Sequence, residues 1–475
     1  MTSGRGLEDA VWALLHEALH HYRDHPWAAD RLRHELARLE EPLRVAVAGG
    51  WRSGKSTLLN AIMGEQVAPV AGVDGEDTFT WYEDGPAPGA TAWSTDGVPQ
   101  ELAVTRSATG LRVDGPGWRP GELRDLVVRW PTRALRQLTL IDTPAVADPD
   151  ERGRAPVVER ALRDADALLY LTRDGRDSDL RALDSERDET GGGRIDALLT
   201  ARQLVRRQQR DPRVAARCVH ALACSGTVGL AGRTLGEADF AALAELARVP
   251  RPELDAHLLS ADRFVRAGLP VGLSADARAA LLERLGLFGV RLATTLVRTG
   301  CDSRVKLSTE LIRRSGLTEL RESVNRLFVD RQGTLKARSA LVAVEGLLRA
   351  EPGPATGELL GAVERIVAGA HEFAELRLLA ALRAGRVGFA AEPAAEAQRL
   401  VGGEGTAPAA RLGAEHDATA RQLWELAVDA QWRWRERAED PTLRLVQRRG
   451  AEVVARSCEG LIVELAGPPR RSTPA

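Results

Sequence analysis

The feature that most constrains this chain is a glycine-rich turn between two apolar runs, in the string LRVAVAGGWRSGKSTLLNAIMG that begins at Leu43. The β-branched residues before the turn predict a buried strand, and the apolar spacing after it predicts a helix. Inside the turn, Gly49 is followed after four residues by Gly54, Lys55 and Ser56. This is the Walker A spacing in the strand–helix context that it requires, so we expect an α/β layer built around a phosphate-binding turn.

Each residue type in this turn has a physical role toward a phosphate. Glycines let successive backbone N–H groups point inward, the following helix presents its positive N-terminal end, and a lysine bridges the β- and γ-phosphate oxygens. Lysine is rare in this chain, at Lys55, Lys306 and Lys336, so its presence in the turn carries weight. The serine that follows it is expected to hold Mg²⁺. The residues expected to contact the nucleotide are Gly49, Gly50, Trp51, Arg52, Ser53, Gly54, Lys55, Ser56 and Thr57.

A second apolar run, QLTLIDTPAV, ends in Asp142 and predicts a neighbouring strand that brings a carboxylate to the magnesium. The run resembles the DxPG box of GTPases, with Ala145 where that family has glycine. The resemblance implies that the Ala145 backbone N–H contacts the γ-phosphate, although an alanine restricts the backbone there. The alternative is an ordinary strand that ends in an Asp-Thr-Pro turn.

Between these two boxes lies the polar, glycine-bearing segment APVAGVDGEDTFTWYEDG, where GTPases carry a mobile switch with one magnesium-binding threonine. Thr78 is our first choice for this metal ligand and for a role in catalysis. Thr80 is the second choice if the register differs, because it alternates to the other face of any strand that contains Trp81. The alternative is a plain connecting loop.

The rest of the chain divides into three parts. Apolar residues at three- and four-residue steps, broken at Pro26, predict a helical pair in residues 1–40 that packs on a stalk. Strand and helix patterns alternate through residues 41–330, which predicts a largely parallel sheet covered by helices. Long helical periods fill residues 331–475 and predict a helical bundle or stalk. Besides the run at Leu43, the strand candidates are Thr80–Tyr82, Leu126–Val128, Leu138–Ile141, Ala167–Leu171 and Val219–Ala223.

Composition excludes some classes of function. The 65 basic and 67 acidic residues nearly cancel, to a net charge of −2, so no excess of positive charge argues for a nucleic-acid partner. The four cysteines lack metal-ligand spacing, which favours reduced thiols in a cytosolic protein. No run of 18 uncharged apolar residues occurs. We therefore expect a cytoplasmic protein, peripheral at most at the inner face of the membrane.

With these boxes in place, the chain resembles the dynamin-like GTPases of high-GC bacteria over roughly residues 10–465. The segments that carry the resemblance are VAVAGGWRSGKSTLLNAIMGE, GEDTFTWY, LTLIDTPAV, ADALLYLTR, DETGGGRIDALLTARQLVRR and ARSCEGL. The resemblance implies an α/β P-loop GTPase domain with GTP and Mg²⁺, and a stalk of N- and C-terminal helices. It also implies nucleotide-controlled pairing with itself or a homologous dynamin-like protein, and work on membrane lipid or with division proteins.

Guanine selectivity in that family comes from an [NST]KxD-like box, and the matching stretch here is Ser185, Glu186, Arg187 and Asp188. The resemblance implies that Asp188 accepts hydrogen bonds from the base. Glutamate replaces the expected lysine, however, and residues 172–190 are too polar for the buried strand that should precede the box. One strand of the core is therefore expected to be shortened or missing. The alternative for Asp188 is a solvated charge in a polar run.

Two functions of different classes remain open. One is a GTPase in which Lys55 and Thr78 act on the phosphates and Arg52 supplies positive charge, although a solvent-facing arginine is the alternative there. The other is a degenerate nucleotide-binding scaffold that partners an active homologue. A membrane-binding helix is not evident: Trp432 and Trp434 lie two residues apart, so their rings are expected on different helix faces.

Overall fold

The computed structural model describes residues 3–68, 78–107, 110–114, 122–146, 156–171, 197–209, 218–266, 268–415 and 417–466. The described residues group into two compact units. One, the sheet unit, lies within residues 44–210 and 220–323. The other, the helical unit, draws on residues 1–43, 211–219 and 324–475, so residues from both ends of the chain meet in it.

The sheet has eight strands in the order β5-β4-β3-β6-β2-β7-β1-β8. Strand β1 is almost entirely buried, as its run of small and β-branched residues predicts, and it pairs with β8 in parallel. Strand β2 pairs with β6 in parallel and with β7 in antiparallel fashion. The strands are β1 Leu43–Gly49, β2 Phe79–Glu83, β3 Gly89–Ser94, β4 Pro99–Ser107, β5 Gly110–Asp114, β6 Leu123–Arg129, β7 Leu138–Asp142 and β8 Ala167–Leu171.

The prediction of a mostly parallel sheet is wrong, because the sheet is mixed. Strands β3, β4 and β5 form antiparallel pairs with their neighbours and widen the sheet at one side. The four residues 95–98 connect β3 to β4, with Gly97 at a positive φ of 78°, and so short a connection can only join antiparallel strands. Of the five further strand candidates, Val219–Ala223 is not a strand, and the other four overlap β2, β6, β7 and β8.

Helices of the sheet unit follow the strands or lie after β8. A buried cluster of apolar residues from six of them, including Leu243, Leu246, Phe264 and Leu281, forms a core of its own. These helices are α3 Lys55–Met63, α4 Pro156–Asp164, α5 Ala197–Gln209, α6 Gly226–Thr234, α7 Glu237–Arg248, α8 Arg251–His257, α9 Ala261–Arg266, α10 Ala275–Arg298, α11 Arg304–Ser315 and α12 Leu317–Leu327, the last of which continues into the helical unit.

The helical unit contains two apolar cores. In the first, α1 and α2 pack against α13 and α14 through residues such as Val11, Leu32 and Leu341. The second joins α15 to α19 around Trp434, which is fully buried while Trp432 is 72% exposed. None of the described helices is long and apolar enough to cross a membrane. The helices are α1 Ser3–His21, α2 Pro26–Glu40, α13 Gln332–Ala350, α14 Thr356–Gly369, α15 His371–Arg383, α16 Ala391–Leu400, α17 Pro408–Leu412, α18 Ala420–Glu439 and α19 Leu445–Ala466.

Candidate functional site

The turn between β1 and α3, residues 49–56, is shaped by two glycines. A Cβ atom at Gly49 would lie 2.5 Å from the carbonyl oxygen of Leu171 on β8 and 2.7 Å from Ser53 Oγ, so a side chain cannot fit there. Gly54 adopts the left-handed conformation, with φ 89°, directly before the first turn of α3. Glycine adopts this conformation without strain. These two positions let the backbone fold back over the end of β1, and we call residues 49–56 the glycine loop.

Lys55 reaches back over the glycine loop. Its Nζ atom donates to the carbonyl oxygens of Gly49 and Gly50, at 3.2 Å each. Carbonyl oxygens are weaker partners for an ammonium group than ionised phosphate oxygens are. The lysine is thus held in place at the loop by contacts that a phosphate could replace.

The structure brings Ser56 and Asp142 together, although 86 residues separate them. Ser56 Oγ donates to Asp142 Oδ2 at 2.8 Å. The other carboxylate oxygen, Oδ1, is buried and accepts no hydrogen bond from the described residues. Burial raises the pKa of Asp142 from its ordinary 3.8 to about 6, although the Ser56 hydroxyl and the Lys55 ammonium both act to lower it.

The position of Asp142 is fixed by hydrogen bonds between the backbone that follows it and β1. Thr143 donates its N–H to the carbonyl oxygen of Val47 at 3.3 Å, and its hydroxyl to the same oxygen at 3.1 Å. Val146 donates its N–H to the carbonyl oxygen of Gly49 at 3.0 Å. The chain that follows β7 therefore runs along the end of β1, and this places Asp142 beside the first turn of α3.

Two oxygen donors, Ser56 Oγ and Asp142 Oδ1, fit a magnesium ion. Mg²⁺ prefers hard oxygen ligands and is usually held in proteins by one or two side chains together with phosphate oxygens and water. The buried Oδ1 atom has no hydrogen-bond donor among the described residues, so it is available as a ligand to such a cation.

The hydroxyl of the third predicted metal ligand, Thr78, is bonded to another group. Thr78 is buried, and its hydroxyl donates to the carbonyl oxygen of Leu123, at the start of β6, at 3.2 Å. Thr80, the second choice, lies directly opposite Asp142 in the pairing of β2 with β7. Between the two threonines, β2 begins at Phe79.

Trp51 and Arg52 form the outer side of the glycine loop. Trp51 is 68% exposed, and the guanidinium carbon of Arg52 lies 4.3 Å from the centroid of its indole ring. Arg52 also has a positive φ of 57°, a conformation that normally favours glycine. This backbone strain at a non-glycine residue is the kind that functional loops retain.

The remaining predicted residues are less informative. Ser53 is buried, and its hydroxyl has no hydrogen-bond partner among the described residues. The hydroxyl therefore remains available as a hydrogen-bond donor. Thr57 and Ala145 are partly buried. Asp188 and its neighbours in residues 185–188 lie outside the described residues, as does the polar stretch expected to have lost a strand.

The segment 224–226, at the start of α6, packs against α3. A Cβ atom at Gly226 would lie 3.2 Å from the backbone nitrogen of Leu58. Ser225 caps α6 by accepting the N–H of Val228 at 3.3 Å. The segment therefore sits next to the helix that follows the glycine loop.

Sequence reasoning missed one residue of this region, Asn60 on α3. Its side-chain oxygen accepts the N–H groups of Val67 at 2.8 Å and Ala68 at 2.7 Å, and its amide nitrogen donates to the carbonyl of Ala68. Asn60 is buried, and a buried side-chain amide must satisfy its donors and acceptor. The only available signal was a polar residue on the apolar side of α3.

Fold and site together define the class of protein: an α/β unit with a glycine loop, an adjacent lysine and an aspartate with a buried carboxylate oxygen, combined with a second unit of helices. Over 490 aligned positions, the chain is 35% identical to isoniazid-induced protein IniC from two strains of Mycobacterium tuberculosis, CDC 1551 / Oshkosh and ATCC 25618 / H37Rv. The alignment covers 96% of this chain and 99% of each relative. The chain belongs to the IniC family.

Two further comparisons add little. No protein-family model matches the chain. Solved structures of an oligomerised bacterial dynamin pair, described as a mechanism for long-range sensing and tethering of membranes, align with 99% of this chain and 77% of theirs. They share 11% identity at a TM-score of 0.27, and a likeness of that size carries no conclusion about this chain.

Proposed function

We propose that this protein is a dynamin-like GTP-binding protein that hydrolyses GTP and assembles with itself or a homologue under nucleotide control, in membrane remodelling or cell division. The observation that carries the nucleotide site is the buried carboxylate of Asp142, bonded on one side to Ser56 and without a described donor on the other. The dynamin-like assignment, the choice of GTP and the work at the inner face of the membrane rest on the sequence segments quoted above.

In this proposal the chain's own residues bind and orient the nucleotide. Lys55 exchanges its two carbonyl acceptors for oxygens of the β- and γ-phosphates. The N–H groups of the glycine loop and the start of α3 face the same phosphates and add the positive end of a helix. Ser56 and Asp142 would hold Mg²⁺, which when bound supplies charge neutralisation on the phosphate oxygens.

Phosphoryl transfer to water depends on positioning and charge, because the protein contributes little covalent chemistry. Arg52 stands at the outer side of the glycine loop and is the candidate for the additional positive charge. Thr78 is the candidate for the third metal ligand, and to act it must release the carbonyl oxygen of Leu123. Hydrolysis at this site thus requires a rearrangement of Thr78, whereas nucleotide binding does not.

That requirement favours a second candidate function, a scaffold that binds nucleotide without turnover and pairs with an active homologue. Two observations support it. The Thr78 hydroxyl is already used within the sheet unit, and the Arg52 guanidinium stacks on an exposed tryptophan. Both functions use the same phosphate site, so the rate of turnover separates them.

The experiment is a titration of the purified protein with GTP, GDP and ATP, with and without Mg²⁺, together with phosphate release at steady state. The GTPase proposal expects Mg²⁺-dependent binding that is tighter for GTP than for ATP, and phosphate release that Lys55→Ala abolishes. Binding without release supports the scaffold. No binding of any of the three nucleotides would overturn both.

A further inference from the structure

Away from the nucleotide site, guanidinium groups gather around one loop of the helical unit. Helix α16 ends at Leu400, and the four carbonyl oxygens from Leu400 to Gly403 each accept a hydrogen bond from an arginine. Arg411 Nε donates to Leu400 at 2.7 Å. Arg331 donates to Val401 at 3.1 Å and to Gly402 at 2.5 Å. Arg383 donates to Gly403 at 3.2 Å.

A fourth arginine, Arg326, approaches the same loop. Its Cγ atom lies 3.9 Å from the position that a Cβ atom would take at Gly405. Its guanidinium donates no hydrogen bond to the described residues, and its Nε atom is buried without a partner. The Nε atom of Arg331 is also buried without a hydrogen-bond partner among the described residues, and only 7% of Arg331 is exposed.

The negative charges nearby do not balance these arginines. Arg411 has a direct partner, since it donates to the carboxylate of Glu375. Arg326, Arg331 and Arg383 form no ion pair with a carboxylate among the described residues. The carbonyl oxygens at the end of α16 offer only the partial negative charge of a helix terminus, about half an elementary charge.

The arginines also act on one another. Burial, followed by the charges of Arg326 and Arg331, lowers the pKa of Arg383 to about 10. Burial lowers the pKa of Arg331, and Arg411 lowers it further, while Glu375 and Asp330 act in the opposite direction. Like charges held this close in a partly buried place are unfavourable unless an anion joins them.

We propose that the arginine cluster formed by Arg326, Arg331 and Arg383 around residues 401–405 is a binding site for an anion of the phosphate class. Guanidinium groups match phosphate oxygens with paired N–H donors, and several of them together favour a multiply charged oxyanion over chloride. Arg383 and Arg326 are partly exposed, so an anion can reach them from solvent. This site goes beyond the proposed function and does not depend on it.

The ligand could be free, such as inorganic phosphate or a phosphorylated metabolite, or it could be the phosphomonoester headgroup of a lipid. Both share the chemistry that the cluster recognises. Arg331 is almost fully buried and Arg326 and Arg383 are only partly exposed. This favours a free anion, because a lipid headgroup must be met at a surface that a membrane can approach.

The experiment uses the full chain carrying Lys55→Ala, which removes the lysine of the nucleotide site. Inorganic phosphate is titrated against thermal unfolding, with sodium chloride at the same ionic strength as the reference. We expect phosphate to raise the unfolding temperature where chloride does not. Arg383→Gln and Arg326→Gln, each added to this background, are expected to weaken the apparent affinity for phosphate about tenfold or more.

Arg326→Gln keeps the test decisive if Arg383→Gln fails to fold, because Arg326 makes no hydrogen bond that the fold would lose. The matched control is Arg349→Gln on α13, whose guanidinium is 70% exposed and pairs with Glu345. The control should keep the full response to phosphate. An equal response to phosphate and chloride, or an unchanged response in both cluster variants, would overturn the site as one for a free anion.

A second arm separates the two sources of the ligand. Co-sedimentation with phosphatidylcholine vesicles, with and without phosphatidic acid, is measured for the same variants. Binding to phosphatidic acid that both cluster variants lose, without a response to free phosphate, assigns the site to a headgroup. Failure in both arms overturns the proposal, and none of these outcomes bears on nucleotide binding.

Discussion

Two buried carboxylates, one in each unit, show opposite electrostatics. In the sheet unit, Asp142 has one hydrogen-bond donor, Ser56, and burial raises its pKa to about 6. In the helical unit, burial would also raise the pKa of Glu375. His371, Arg411 and Ser457 outweigh that effect and lower the pKa to about 2. Burial alone therefore does not decide the behaviour of a carboxylate, because the number of donors around it does.

The difference separates a structural site from the proposed ligand site. Glu375 accepts from the Ser457 hydroxyl at 2.7 Å and from Arg411, and it lies 3.6 Å from the His371 ring, so three elements meet at one satisfied group. Asp142 keeps one oxygen without a described donor. A carboxylate left short of partners destabilises the apo protein, and such groups are common where a ligand completes the site.

The largest expected effect concerns the ligand site. Lys55→Ala should weaken nucleotide binding about a hundredfold, because it removes a charged donor to the phosphates. The matched control is Lys306→Ala, which removes an exposed lysine paired with Asp302 and should bind nucleotide as the parent does. Fluorescent nucleotide titration measures both. An equal loss of nucleotide affinity in the two variants, or no loss in either, would contradict a role of Lys55 in binding the phosphates.

The next effect concerns the satisfied carboxylate. Glu375→Gln should lower the free energy of unfolding at pH 7 by about 3 kcal/mol, the difference between a pKa of 4.5 and one of about 2. Because the folded pKa is depressed, this stability is present above pH 4.5 and disappears as the pH falls toward 2. Urea unfolding at pH 7 and near pH 3 should therefore show the gap narrowing in acid.

Glu345→Gln is the control for that variant. Glu345 pairs with Arg349 on the surface of α13, and surface pairs of this kind contribute less than about 1 kcal/mol. If the two glutamate variants lose the same stability, Glu375 is no better satisfied than a surface residue.

The third effect has the opposite sign. Asp142→Asn should raise the free energy of unfolding of the nucleotide-free protein at pH 7 by about 1 to 2 kcal/mol. Because the folded pKa is raised, protonated Asp142 contributes stability that is fully present below pH 3.8 and is lost as the pH rises through about 6. The asparagine does not ionise, so the variant is more stable than the parent above pH 6. The buried asparagine N–H₂ group offsets part of the gain.

Asp125→Asn provides the contrast within the same sheet. Asp125 is buried, and unlike Asp142 it accepts from three side chains, those of Trp81, Arg124 and Arg160. Its substitution should destabilise the protein. Urea unfolding in the presence of EDTA gives the free energy of unfolding of both variants. A loss of stability in Asp142→Asn would show that Asp142 is as well satisfied as Asp125.

The smallest effect sharpens the description of the satisfied site. Ser457→Ala leaves Glu375 and His371 each one partner short and should cost about 1 kcal/mol in the free energy of unfolding. Thr309→Ala, which removes an exposed hydroxyl that bonds back to Val305, should change it by less than about 0.5 kcal/mol. Urea unfolding of both variants checks the difference.

Much of the geometry of the proposed ligand site was predictable because its signals are local. The glycine positions, Lys55 and Ser56 lie within eight residues, and steric limits on the backbone fix their conformation. The nearby Asp142 was predictable too, since a polar residue that ends an apolar run must emerge at the edge of the sheet. The satisfied carboxylate was not, because Glu375 meets Ser457 across 82 residues and no pattern along the chain announces that contact.

The sheet shows the same limit. The strand β1 follows from its own residues, whereas the antiparallel extension through β3, β4 and β5 depends on turns whose direction only pairing reveals. Thr78 likewise has the residue type of a metal ligand, but its hydroxyl donates to the carbonyl oxygen of Leu123, 45 residues away in the sequence.

The sequence by itself determined the glycine loop, the strand before it, the helix after it and the helical character of both ends of the chain. Those features arise from backbone sterics and apolar periodicity, which act over a few residues. The tertiary structure alone decided which buried charges are satisfied. Electrostatic free energy depends on distance in space, so the raised pKa of Asp142, the lowered pKa of Glu375 and the gathering of arginines around residues 401–405 appear only once the chain is folded.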